Sequence, residues 1–234
     1  MVNAMLNSLF QGFNRIVLLD VETTGLDCRR DEIIEIAAQR IVAEAGTYRV
    51  EYELNALVQL SEGQSLPNEI TRLTGITEQM LLEDGDTKDN VCKKMVEILD
   101  NPNTLIAAYN AQFDLCFLYF FLLSHNCADV LRQIKMLDVM TIFKDRRDYP
   151  HKLGDAINAY SLENHNSHRA ISDAKATLSI LVAMEQEKDD LNKYINLFGY
   201  NPKYGISGPR ISSVTYLPQG YYGKGKLYEQ TVRS

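Results

Sequence analysis

The apolar run Ile16-Val17-Leu18-Leu19 ends on Asp20-Val21-Glu22, and no other junction constrains the fold of this chain as tightly. A short run of consecutive apolar residues reads as a buried strand. Side chains alternate along a strand, so Asp20 and Glu22 face the same way. Two neighbouring carboxylates repel one another and resist burial. The pair is therefore either a solvated strand end or a hard-cation site, because Mg²⁺ and Mn²⁺ take carboxylate oxygens.

The turn Thr23-Thr24-Gly25 follows, then a second apolar segment over 33–38 and an alternating, half-exposed strand over 48–58. Short connections favour antiparallel pairing of these three. After Pro67 the spacing becomes helical, with short helices over 68–74 and 77–83 divided at Gly75, and another over 89–99. Residues 104–108 are strand-like. The apolar segment 113–123 is too long for one strand and reads as a buried helix, and 134–138 makes a fifth strand ending at Asp138. Helices are predicted over 152–160 and 170–187, the second with Ala174, Leu178, Leu181 and Val182 in register. The order β-β-β-α-β-α-β-α predicts an α/β fold, a mixed five-stranded sheet flanked by helices. Residues 1–13 read as a polar lead-in, 14–190 as the main domain and 191–234 as an extension.

Composition narrows the class. Of 234 residues, 45% are apolar and 24% charged, which fits a soluble globular chain and excludes wholesale disorder. No run approaches the ~18 apolar residues of a membrane helix, so no membrane partner is expected. The first residues carry no basic cluster, so no secretory signal is expected. Cys28, Cys92, Cys116 and Cys127 form no Cys-x-x-Cys pair, and reduced thiols in a cytoplasmic protein are expected. A net charge of −7 argues against a general nucleic-acid coat protein. The charge is uneven, because residues 191–234 hold six basic side chains against one acid, and seven of the thirteen tyrosines. That tail reads in two ways. Tyr200, Lys203, Tyr204, Arg210, Tyr221, Tyr222 and Lys224 are candidates for a substrate arm. The preferred reading is an arm packed on the body, with tyrosine as amphipathic filler.

Two further acids lie near predicted helix starts. Asp114 ends Asn110-Ala111-Gln112-Phe113-Asp114, and Asp173 follows His168-Arg169-Ala170-Ile171-Ser172. Each alone reads as a dipole partner, and His168 alone as a loop histidine. His125, His151 and His165 read as ordinary surface residues, and Met80, Met95 and Met184 as core fillers. Taken together, four acids and one histidine at the mouths of apolar elements suit metal-assisted phosphodiester hydrolysis. In that chemistry the histidine takes a proton from the attacking water.

The stretches 17–26, 31–37, 108–118 and 168–174, with Leu73-Thr74-Gly75-Ile76-Thr77, resemble the DEDDh family of 3′→5′ exonucleases. That group contains the proofreading epsilon subunit and the PolC-type exonuclease domain of bacterial DNA polymerase III. The resemblance covers about residues 14–188. It implies a ribonuclease H-like fold and two divalent metal ions, Mg²⁺ or Mn²⁺. Asp20 would bridge both ions, Glu22 and Asp173 would complete one site, Asp114 would support the other, and His168 would be the general base. Thr24, Gly25 and Leu26 match the loop that holds the 3′-terminal nucleotide, with Asn110 and Phe117 as candidates for substrate contact or site support. For Phe117 core packing is an equal reading. Tyr109 stands where the family often has histidine, and Asp138 reads as fold support. The implied substrate is a single-stranded or frayed 3′ end, DNA before RNA. The alternatives are an exoribonuclease of the ribonuclease T or oligoribonuclease type, and a subunit tethered to a DNA polymerase for assembly.

Overall fold

The computed structural model describes residues 5–163, 168–220 and 226–230. Five strands form one sheet: β1 (Arg15–Thr23), β2 (Ile33–Glu44), β3 (Thr47–Leu57), β4 (Thr104–Ala108) and β5 (Lys135–Asp138). Their order is β3-β2-β1-β4-β5. The first three pair antiparallel through short connections, and β4 and β5 add parallel to β1, giving the expected mixed sheet. β1 is thus central and buried along Ile16–Leu19, as its unbroken apolar run requires.

Helices cover both faces. They are α1 (Asn7–Phe10), α2 (Asn68–Thr74), α3 (Glu78–Glu83), α4 (Lys88–Leu99), α5 (Ala111–Ser124), α6 (Val139–Arg146), α7 (Leu153–Ala159) and α8 (Ala170–Glu187). Val17, Leu19 and Val21 pack with α4 and α5 on one face. Ile16 and Leu18 pack with α6, α7 and α8 on the other. The period of two along β1 therefore divides the core into two halves. Gly75 ends α2 at φ 73°, the left-handed conformation that glycine adopts at no steric cost. Among the described residues no helix is long and apolar enough to cross a membrane.

Three features depart from the sequence reading. The lead-in buries Leu6 and Leu9 completely. Helix α6, which no pattern announced, is capped by Asp138, whose side chain accepts from Thr141 N and Thr141 Oγ1. His151 is buried rather than surface-exposed, because its ring bonds the Arg147 carbonyl and packs edge-on against Phe143. His125 is half-buried beside Phe121, and His165 lies outside the described residues. Met95 and Met184 are fully buried, and Met80 partly so.

Much of the described part of the extension packs on the body. A parallel pair, β6 (Leu197–Tyr200) and β7 (Thr215–Pro218), lies beside β5. Asn196 N donates to the Met136 carbonyl while Asn196 Oδ1 accepts from Met136 N, so Asn196 extends the ladder. Leu191, Tyr194 and Phe198 are buried, and Arg146 pairs with Asp190 at 2.6 Å in near-complete burial. Tyr204 stays largely exposed. Tyr221, Tyr222 and Lys224 lie outside the described residues.

Candidate active site

β1 carries Asp20 and Glu22 on the face that α8 covers. A bulge follows at Glu22/Thr23 and turns the chain out of the ladder into the 24–32 loop. From the same face, the first turn of α8 presents Asp173, which is buried. Asp114 arrives from the opposite face, in the first turn of α5, and its Oδ1 accepts the Val21 N–H at 3.1 Å. That bond ties α5 to the strand between the two acids. His168 sits exposed just before α8. Glu22, His168 and Asp173 bring ligand atoms within 4.8 Å of one another. The four acids and the histidine singled out from the sequence thus gather at the end of β1.

The electrostatics follow from that crowding. Burial pushes Asp20 well above the usual carboxylate range, and Asp114, Asp173 and Glu22 push it further. Glu22 is pushed up to about 8 by burial, then by Asp173 and Glu35, with Arg169 opposing. Asp114 is raised by burial, against the pull of the Val21 N–H. Like charges gathered this closely need a counter-charge, and a donor set of carboxylate oxygens with one imidazole suits a hard divalent cation.

A measurable consequence is a metal-dependent pH profile of stability. A carboxyl whose folded pKa lies above its unfolded one favours folding most below the unfolded value. For Glu22 that contribution is lost as pH rises from 4.5 through about 8. In chelator, the melting temperature is expected to fall across this window by an amount worth a few kcal/mol, one pKa unit being ~1.4 kcal/mol. Mg²⁺ or Mn²⁺ is expected to raise it and flatten the slope. A melting temperature indifferent to both ions at pH 8 contradicts the cation site.

The loop after β1 is tightly braced. Thr24 N donates to the Glu32 carbonyl, and Thr24 Oγ1 accepts from Glu32 N, each at 2.9 Å. Asp31 accepts from Asp27 N. A Cβ on Gly25 would stand 2.4 Å from Asp31 Oδ2, so a side chain there would displace the carboxylate that accepts from Asp27 N. Leu26 projects at the loop tip, 85% exposed. Asn110 occupies the N-cap position of α5 at φ 66°, exposed and without a side-chain capping bond. Phe117 is packed in the core behind Phe113, which stays half-exposed at the start of α5. Tyr109 donates its hydroxyl to the His151 carbonyl, so it braces the segment entering α7.

Sequence reasoning missed Glu35 and Arg169. Glu35 lies opposite Glu22 in the β1–β2 register and is 1% exposed. Arg169 grips it with Nε at 3.0 and 3.2 Å and Nη2 at 2.7 Å, and Ala170 N donates to it at 2.9 Å. The pair clamps the residues just after His168 onto β2. One signal was present: an acid inside the apolar segment Ile33-Ile34-Glu35-Ile36-Ala37-Ala38 needs a partner.

The chain is similar to known proteins in sequence and fold. The family model described as Exonuclease, RNase_T, matches residues 17–181. DNA polymerase III PolC-type of Clostridium perfringens is 33% identical over 175 residues, 70% of this chain and 11% of that protein. The 3′-5′ exonuclease DinG of Bacillus subtilis is 32% identical over 181 residues, 74% of this chain and 18% of that protein. The chain therefore spans less than a fifth of the length of either relative. In fold, it matches Escherichia coli exonuclease I, solved with a dT13 oligonucleotide, at a TM-score of 0.68 and 17% identity. That match covers 75% of this chain and 42% of that one. On the match over 17–181, which contains all four acids and His168, the chain belongs to the RNase_T exonuclease family.

Proposed function

We propose that this chain is a metal-dependent 3′→5′ exonuclease that removes nucleoside 5′-monophosphates from single-stranded or frayed DNA ends, in proofreading or repair. The observation that carries this reading is the convergence of Asp20, Glu22, Asp114 and Asp173 beside His168 at the end of β1. The name of the polymerase relative favours DNA over RNA and leaves a polymerase as a fitting partner.

The four carboxylates would hold two divalent ions, Mg²⁺ or Mn²⁺. When bound, such ions supply charge that activates water and stabilises the departing 3′-oxygen. His168 takes the proton of the attacking water at a ring nitrogen. The exposed Leu26 abuts the terminal base, while the backbone at Thr24 and Gly25 meets the terminal nucleotide. Asn110, exposed at the start of α5, completes the rim. Phe117 supports that rim from beneath.

The test is a 5′-labelled single-stranded oligonucleotide, as DNA and as RNA, incubated with Mg²⁺, Mn²⁺ or chelator. The expected result is a ladder shortening from the 3′ end only with metal, faster on DNA. Faster shortening of RNA reverses the substrate assignment. Internal cuts, loss of the 5′ label, or no reaction with either ion overturn the exonuclease reading.

A further inference from the structure

Beside α5 lies a groove of about 550 Å³, within the ~300–1,000 Å³ typical of ligand pockets. Among the described residues its charged lining is Arg29, Arg132 and Arg210, without a carboxylate. In a chain of net charge −7 that is a local reversal of sign. Tyr119 and Phe120 supply ring faces on its α5 side, and the opposite wall is formed by residues 209–213 of the extension. Arg29 lies 5.7 Å over the Phe120 ring. Arg132 pairs with Asp129 at 2.9 Å, but both side chains are more than three-quarters exposed, and such pairs hold weakly.

The groove borders the loop below the acids. A second cavity, about 520 Å³, is lined by Leu26, Asp27, Cys28, Arg29, Gly208 and Pro209. The two cavities share Arg29 and Pro209. The wall between them is fixed rather than loose. Gln112 Nε2 donates to the Ser207 and Pro209 carbonyls at 2.9 and 2.8 Å, and Gln112 Oε1 accepts from Tyr216 OH. Gln112 stands two residues before Asp114, so the extension is anchored to the same turn of α5 that carries a candidate ligand.

Resting on the exonuclease reading above, we propose that this groove holds the single-stranded nucleotides upstream of the 3′ end. The terminal nucleotide sits at Leu26, and the strand leaves past Arg29 and Pro209. Its phosphates pass Arg132 and Arg210, and its bases stack on Tyr119 and Phe120. Guanidinium groups and ring faces without acids are the chemistry of a single-strand track. An apolar protein helix would offer these arginines no anion, whereas a nucleic-acid strand brings phosphates.

The test reads binding without turnover. Labelled oligothymidylates of about 20 and about four nucleotides are titrated in chelator at several salt concentrations, with melting temperature as the folding control. Arg132→Glu combined with Arg210→Glu is expected to weaken the long strand and shrink its log–log salt slope by ~1.4, at ~0.7 per phosphate. Tyr119→Ala is expected to weaken the long strand about tenfold. The short strand is expected to change little in either variant. Unchanged long-strand affinity and slope in folded variants, or equal losses on both strands, overturn the proposal. So does a groove that ignores the long strand and takes up an apolar helical peptide. Failure of the exonuclease reading is seen separately, as absence of metal-dependent shortening by the unaltered protein.

Discussion

Asp114→Asn is expected to bring metal-dependent shortening of a 5′-labelled oligonucleotide down by at least ~10²–10³ while the protein stays folded. Asp114 is 3% exposed and contributes one of four clustered charges. Charge stabilisation by a bound ion is worth several kcal/mol in the transition state, and each ~1.4 kcal/mol is tenfold in rate. Alanine is the cruder variant, because it would leave the Val21 N–H without its acceptor, at about 1–3 kcal/mol. Asparagine keeps an oxygen there and removes only the charge. The melting temperature in chelator is accordingly expected to hold or rise, since one repelling carboxylate is gone, and its increase on adding Mn²⁺ is expected to shrink. Activity within tenfold of the unaltered protein, measured by the rate of loss of full-length substrate, would remove Asp114 from the site.

Much of this site was legible because local signals placed its residues. Asp20 and Glu22 follow an apolar strand, and the strand period alone puts them on one face. Asp114 and Asp173 stand in the first turns of apolar helices, where acids are expected, and their number, the nearby histidine and the family-like stretches around them marked them. Glu35 was not legible as part of the site. Its partner Arg169 is 134 residues away, and no local pattern links them. Helix α6 was hidden for another reason: Val139-Met140-Thr141-Ile142-Phe143 carries strand-forming residues, and the cap at Asp138 decides for helix. The extension shows no period because side chains hold it rather than an amphipathic face. Gln219 reaches the Thr141 carbonyl and Asp145, and Gln112 holds the 207–209 backbone. Such contacts belong to pairs of distant residues, and composition alone could say only that the tail was basic and rich in tyrosine.

His168→Ala is expected to cut kcat by ~10²–10⁴, the usual worth of a general base, and to leave the metal-induced rise in melting temperature in place. The second half decides the role. His168 lies within the same 4.8 Å cluster as Glu22 and Asp173, close enough to ligate a cation itself. A base that acts on water can be lost without loss of the ion, whereas a ligand cannot. Loss of both rate and metal-induced stabilisation would therefore make His168 a ligand. Backbone geometry supplies a needed control. His168 adopts φ 49°, in the left-handed region, which disfavours alanine by ~1–2 kcal/mol and is tolerated by asparagine. His168→Asn is expected to lose the same activity with a smaller change in stability, so an effect confined to alanine would be strain and not chemistry. The clamp behind the histidine explains why that backbone is held at all: Arg169 and Ala170 N are both bound to the buried Glu35, across the strand pair from Glu22. The conformation of residue 168 is set between that anchor and the start of α8, and the imidazole is delivered to the acids by the strand pairing that also presents Glu22.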